Sequence, residues 1–321
     1  LKNIYAFQSQ LEERELIAKR LFKLKRGGKP DGIVVVGMGG SGFAGDVIKG
    51  LRNELCIPVS LEVVKSPKIP EFPFKKPFFI FVSFSGNTNE VLEALKSVVV
   101  KKNAKVAIVT TGGKLGALGN KLELPEIRFA SGDLTPRQSV GYAYRALKKL
   151  LLTQFSSIKR FPTPRFRYRH LEKIGKSLAR KLKDKIVLLY SREADMHLTN
   201  FWKAALNETG KTMAFRNTFP EAAHNELVSF ESRLSRSAYI IFLSPPHHKT
   251  DTIATSFRTF LALAKSRGIR GTIVSVEGKN PEEAVWNAFL LAHLTSYHLA
   301  KILKHNPTET KLIAQFKKRT R

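Results

Sequence analysis

The chain has 321 residues, enough for two domains at roughly 150 residues each. It is 43% hydrophobic, 25% charged and 10% aromatic, which excludes a disordered, collagenous or coiled-coil protein. Lysine and arginine number 55 against 26 acidic residues, and the net charge of +29 raises a nucleic-acid or membrane-surface reading that must be tested against where the charge sits.

In chain order, residues 4–24 predict an amphipathic helix, with Ile4, Phe7, Leu11, Leu16, Ile17 and Leu21 on its apolar face. Short β-branched runs then alternate with helical patterns. Strands are predicted at Ile33–Val36, Val59–Val64, Phe78–Phe84, Val106–Thr110 and Glu126–Phe129, and helices begin near Ser41, Thr88 and Pro136. A boundary follows near Ser156–Arg169, where Pro162 and Pro164 interrupt a basic stretch. The pattern then resumes as helix 170–183, strand Lys185–Tyr190, helix Asp195–Glu208, strand Ala238–Leu243, helix 251–267, strand Thr272–Val276, helix 281–304 and a short last helix over 308–319. The fold class is therefore α/β, as two doubly wound parallel-sheet halves of residues 1–155 and 156–321. Ligands of such sheets sit beyond the carboxyl ends of the strands.

The single cysteine, Cys56, excludes an internal disulfide or a CxxC site and points to a reducing compartment. No run reaches the roughly 18 apolar residues of a membrane span. The longest candidate, Trp286 to Leu303, is broken by Asn287, His293, His298 and Lys301. The first residues, with Glu12, Glu13, Arg14 and Glu15, contain no signal-peptide apolar region, so a soluble, cytoplasmic protein is expected. The basic excess is spread over both halves and is densest from Lys159 to Lys185, where Arg165, Arg167 and Arg169 alternate with Phe166, Tyr168 and His170. Such alternation could stack on single-stranded nucleic acid. No RNP, zinc-finger or helix-turn-helix signature accompanies it, so a solvated linker and basic helix is the preferred reading.

Two glycine–serine turns carry the chemistry. Gly37-Met38-Gly39-Gly40-Ser41-Gly42 follows a strand and opens a helix, which satisfies GxGxxG. A dinucleotide site would also need an acidic residue at the end of the next strand; Glu62 has the spacing but lies inside that strand. The second turn, Ser83-Phe84-Ser85-Gly86-Asn87-Thr88, places three hydroxyls and a glycine before a helix. Side-chain donors and free backbone N–H groups at the positive end of a helix suit a phosphate. A dinucleotide fold has no need of this second site.

Taken with Pro136-Arg137, Asn207-Glu208, the run Phe219–Leu227 and Asn306-Pro307 followed by Thr310 and Lys317, these turns resemble the bifunctional phosphoglucose/phosphomannose isomerases. That family lies in the phosphoglucose isomerase superfamily and is built from two sugar isomerase (SIS) domains. The resemblance covers nearly the whole chain, with its motifs in the same order. It implies a metal-independent aldose–ketose isomerase that interconverts glucose 6-phosphate and mannose 6-phosphate with fructose 6-phosphate through an enediolate. Ser83, Ser85 and Thr88 would anchor the phosphate, with Gly40 and Ser41 contributing. Glu208 would be the base, at a helix C-terminus where the macrodipole favours taking up a proton. Arg137 would stabilise the enediolate. His224 and Lys317 would serve ring opening, and Thr310 would leave room for both C2 epimers. In the family the histidine often reaches the site of a neighbouring subunit, which implies a homodimer.

Four positions depart from the pattern: Phe84 for Tyr or Trp, Asn306 for Asp, and Thr209-Gly210 for Asn-Ala. No metal site is expected, because His247 and His248 are adjacent, His293 and His298 are five apart, and neither HxH nor HExxH occurs. No cofactor is expected either. The competing readings are a non-catalytic SIS sensor, which would not need Glu208 and His224, a nucleotide-linked oxidoreductase and a nucleic-acid binder.

Overall fold

The structure, a computed structural model, describes residues 1–12, 16–101, 103–130, 132–244 and 252–319, and of Lys317 the backbone alone. The chain forms two compact units, Lys2–Pro164 and Arg165–Arg321, the latter together with Leu1.

In the first unit, six strands are ordered β1-β6-β5-β4-β2-β3. Two inner strands are β2 (Gly32–Gly37) and β4 (Pro77–Ser83), the former buried at every residue. A continuous apolar, β-branched run is what a strand covered on both faces requires. Around them lie β3 (Ser60–Val64), β5 (Lys105–Thr110) and β6 (Glu126–Phe129), all parallel. Because β2 has β3 on one side and β4 on the other, the strand order reverses between β2 and β4, and a crevice opens there at the carboxyl ends. Register sets Gly37 opposite Val82 and Ser83 opposite Thr110, so the loops after these strands leave at one level. Helices α2 (Gly39–Gly50), α3 (Asn89–Val98), α4 (Gly113–Lys121) and α5 (Val140–Leu152) complete the unit.

The helix expected over 4–24 does not form. The segment becomes a short helix α1 (Lys2–Tyr5), 3-10 turns at Ala6–Leu11 and Leu21–Lys25, and β1 (Leu16–Lys19). Glu13, Arg14 and Glu15 lie outside the described residues. β1 pairs antiparallel with β6, Leu16 opposite Phe129, and so covers a strand edge that would otherwise be open. Leu16 is buried while its neighbour Ile17 is 61% exposed, as successive side chains of a strand point to opposite faces. Some elements had no sequence expectation. Helix α4 carries Gly113, Gly116 and Gly119, which weaken helix propensity. A Cβ at Gly119 would come within 2.1 Å of Ile108 Cδ1, so helix and sheet meet closely there. In strand β8 (Ala214–Phe219) the polar run Arg216-Asn217-Thr218 breaks the apolar pattern, although pairing with its neighbour is continuous.

The second unit has four parallel strands ordered β10-β9-β7-β8. They are β7 (Ile186–Arg192), β8, β9 (Ala238–Ser244) and β10 (Arg270–Ser275). Its helices are α6 (Tyr168–Leu182), α7 (Met196–Glu208), α8 (Glu221–Asn225), α9 (Thr252–Ser266), α10 (Pro281–Ile302) and α11 (Lys311–Arg319). Helix α10 is buried nearly all round and packs on α6 and α7, where Trp202 Nε1 donates to the Ala288 carbonyl at 3.0 Å. Tyr190, Phe219, Phe242, Phe257 and Phe260 form an aromatic core between the sheet and α9. Among the described residues no helix is long and apolar enough to cross a membrane.

Candidate active site

At the carboxyl edge of the first sheet, loops after β2, β4 and β5 lock together. Ser41 Oγ accepts from the Phe84 N–H at 3.0 Å, which joins the first glycine turn to the second. Ser83 is buried, accepts from the Gly86 N–H at 3.1 Å and pairs with the Thr88 hydroxyl at 2.9 Å. Exposed Ser85 accepts from the Asn87 N–H at 3.2 Å. Gly86 holds φ +65°, and a Cβ there would lie 1.9 Å from the Gly112 carbonyl oxygen. The third loop, Thr110 to Gly113, closes the frame. Thr111 donates from both its N–H and its hydroxyl to the Phe84 carbonyl, and Asn87 Oδ1 accepts from the Lys114 N–H. Sequence reasoning missed this loop, although Thr-Thr-Gly-Gly after a strand was its signal.

The chemical result is two helix starts without side-chain caps. Thr88 stands at the N-cap of α3 and makes no capping bond, because its hydroxyl is turned to Ser83. Met38 at the N-cap of α2 makes none either. Leading amides of a helix left in this way offer hydrogen bonds and partial positive charge to an anion. Arg137, half-buried, enters the same neighbourhood on a 3-10 turn at Pro136–Gln138. A Cβ on Gly40 would lie 2.3 Å from the Pro136 carbonyl oxygen and 2.9 Å from the Arg137 nitrogen, so the glycine permits this contact. Glu62 sits in mid-strand with its carboxylate 2.7 Å from Lys49 Nζ, which leaves no acidic ribose ligand at the strand end.

In the second unit Glu208 is the last residue of α7 and is half-buried. Since α7 runs back against the strands, Glu208 lies at the amino edge of the sheet, opposite to where ligands of such sheets are first sought. Asn207 Oδ1 holds the N–H of Ala214, the first residue of β8, at 2.8 Å. Lys211, at φ +55°, donates to the Glu208 carbonyl at 2.6 Å and also to the Glu309 carbonyl. It thereby brings the end of α7 to the segment entering α11, beside half-buried Thr310. No motif or spacing marked Lys211 for this role. Thr310 precedes α11 rather than lying within the expected helix, and its carbonyl accepts from the Ala314 N–H. Asn306 Oδ1 accepts from the N–H and hydroxyl of Thr308, so this departure from the family pattern orders the turn. Lys317 lies on α11, and its side chain is outside the described residues.

His224 is exposed on the short helix α8. Helix α8 follows the carboxyl end of β8, whereas Glu208 precedes its amino end. The six residues of β8 span about 20 Å, so the two side chains are not neighbours within one chain. Two residues on, Glu226 accepts from Tyr190 Oη and from Asn217 Nδ2, which ties the end of α8 to the sheet. Burial, then the Glu226 carboxylate, push the Tyr190 phenol far up, so it remains a donor. Among the described residues no cluster of three potential metal ligands occurs; His247 and His248 lie outside them.

Residues 172–320 match the bacterial phospho-glucose isomerase C-terminal SIS domain. A bifunctional phosphoglucose/phosphomannose isomerase of Thermoplasma volcanium is 29% identical, with 91% of this chain and 92% of that protein covered. Another from Caldicellulosiruptor bescii is 26% identical over 97% and 96%. A D-glucosamine-6-phosphate 4-epimerase of Sulfolobus acidocaldarius is 25% identical over 90% and 89%. Among solved structures, a hypothetical protein of Thermus thermophilus aligns with a TM-score of 0.71 at 14% identity, covering 99% of this chain and 89% of that one; it supports the fold.

Proposed function

Because the chain is a relative of the bifunctional phosphoglucose/phosphomannose isomerases along nearly its whole length, as its motif order implied, we propose that it interconverts glucose 6-phosphate and mannose 6-phosphate with fructose 6-phosphate. The observation that carries this reading is the interlocked pair of uncapped helix starts with exposed Ser85 and half-buried Thr88 before α3. Ser85, Thr88 and the leading amides of α3 hold the phosphate dianion, with Gly40 and the α2 start contributing. Ser41 and Ser83 keep the two loops in register. Remote binding of the dianion fixes the sugar, and positioning supplies much of the rate.

Glu208 takes the proton from C2 of the aldose, or from C1 of the ketose, and returns it to the neighbouring carbon. The negative charge of the enediolate oxygen is stabilised by Arg137. A positioned base contributes typically 10²–10⁴-fold to such a transfer. Lys317 and His224 open the ring, and Thr310 faces the C2 hydroxyl, where a small side chain tolerates either epimer. The separation of His224 from Glu208 along β8 favours His224 acting in a second copy's site, hence a homodimer.

A coupled assay with both hexose 6-phosphates, with and without EDTA, tests the reading, and fructose 6-phosphate formation in both conditions is expected. The epimerase relative makes C4 epimerisation of a 6-phospho-amino sugar the competing reading. NMR of glucosamine 6-phosphate incubated with the protein separates the two.

A further inference from the structure

In strand order β10-β9-β7-β8 repeats β5-β4-β2-β3, one unit for the other. In the first unit β6 then pairs with the outer edge of β5. The second unit has no counterpart: among the described residues no strand pairs with the outer edge of β10. Beside that edge, a groove of about 1180 Å³ lies along β10, α6 and α10. Its floor is apolar, from Leu171, Ile174, Leu178, Val274, Val276 and Leu291. Its lining also includes the exposed cations Arg165, Arg167, Lys173, Lys181 and Lys279, against the carboxylates of Glu277 and Glu283. The alternating Arg–aromatic stretch, which the proposed isomerase function does not use, supplies Arg165, Phe166 and Arg167 to this rim.

We propose that the groove binds an extended acidic segment of another polypeptide, which adds to β10 as the missing fifth strand. The unpaired N–H and C=O groups of a six-residue strand match the repeat of a peptide backbone. Alternate side chains of the added strand lie on the apolar floor, and its carboxylates meet the basic rim. A second copy of this chain would set one basic rim against another, and a nucleic-acid strand would leave the ladder groups of β10 unpaired.

The test uses the full chain and a fluorescein-labelled peptide of alternating glutamate and valine, followed by anisotropy, with hydrogen exchange read over residues 270–276. Saturable binding with slowed exchange of the β10 amides is expected, and a lysine–valine peptide should not bind. Arg165→Glu with Arg167→Glu should weaken the acidic peptide about tenfold while melting temperature and isomerisation stay unchanged. Should that double variant misfold, Lys279→Glu reads the rim independently. Binding without protection of 270–276 would overturn the proposal. So would tighter, equally rim-dependent binding of oligo(U), or protection that rises with protein concentration when no peptide is present.

Discussion

The Lys211 ammonium donates to the Glu208 backbone carbonyl at 2.6 Å and, with another of its protons, to the carbonyl of Glu309. One cation thus satisfies the last turn of α7 and anchors the entry to α11. Helix C-terminal carbonyls lack partners within their own helix, and a cation beside them also meets the negative end of the dipole. Lys211→Met should loosen both ends. We expect a loss of about 1–2 kcal/mol locally, faster hydrogen exchange over 309–319 and a lower kcat. Unchanged exchange there would show that α11 is held by other contacts.

Gly40 is the second place where one atom decides the geometry. In Gly40→Ala the new methyl meets the Pro136 carbonyl, so the turn carrying Arg137 must move. Overpacking of this kind costs about 1–3 kcal/mol. A lower melting temperature together with reduced kcat/KM is expected. A variant with wild-type kinetics would mean that the position of Arg137 does not matter.

Replacing Ser85 and Thr88 by alanine removes hydroxyls at the α3 start but leaves its amides. Hydrogen bonds to a charged group contribute roughly 1.5–3 kcal/mol each, so KM should rise at least tenfold with a smaller change in kcat. Steady-state kinetics with either hexose 6-phosphate reads this. An unchanged KM would move the phosphate elsewhere.

His298 on α10 lies 2.9 Å from Glu172 on α6. Burial holds the imidazole below its ordinary value, outweighing the opposing pull of Glu172. The folded state therefore takes up this proton less readily than the unfolded chain. Its stability is fully present above the ordinary histidine value of about 6.5 and is lost as pH falls through the lower folded value. The melting temperature should drop on acidification below about pH 6.5, and less steeply in His298→Gln. An equal slope in the two proteins would assign the acid sensitivity to other groups.

The parts of the fold legible in sequence were those where local pattern and tertiary demand agree. The run Ile33–Val36 is β-branched throughout because β2 is covered on both faces. The stretch from Pro281 is apolar nearly all round because α10 is packed on several sides. Where one pattern serves two periods, reading failed: Phe7, Leu11 and Leu16 are buried, yet they belong to a turn and a strand. The glycines of α4 speak against a helix locally and are used for close packing instead. The serines of the two turns raised the expectation of an anion site, but the mutual bonding that leaves the helix starts uncapped is a tertiary fact. Lys211 is one lysine among many, and only the fold gives it two carbonyls.

The most direct test of the proposed chemistry is deuterium uptake at C2 when fructose 6-phosphate is isomerised in D₂O, followed by NMR for the wild type and Glu208→Gln. Proton transfer by Glu208 through an enediolate predicts label at C2 of the aldose phosphate formed by the wild type. It predicts no exchange in the variant, which should still bind the 6-phospho-sugar. Near-normal exchange by Glu208→Gln would contradict it.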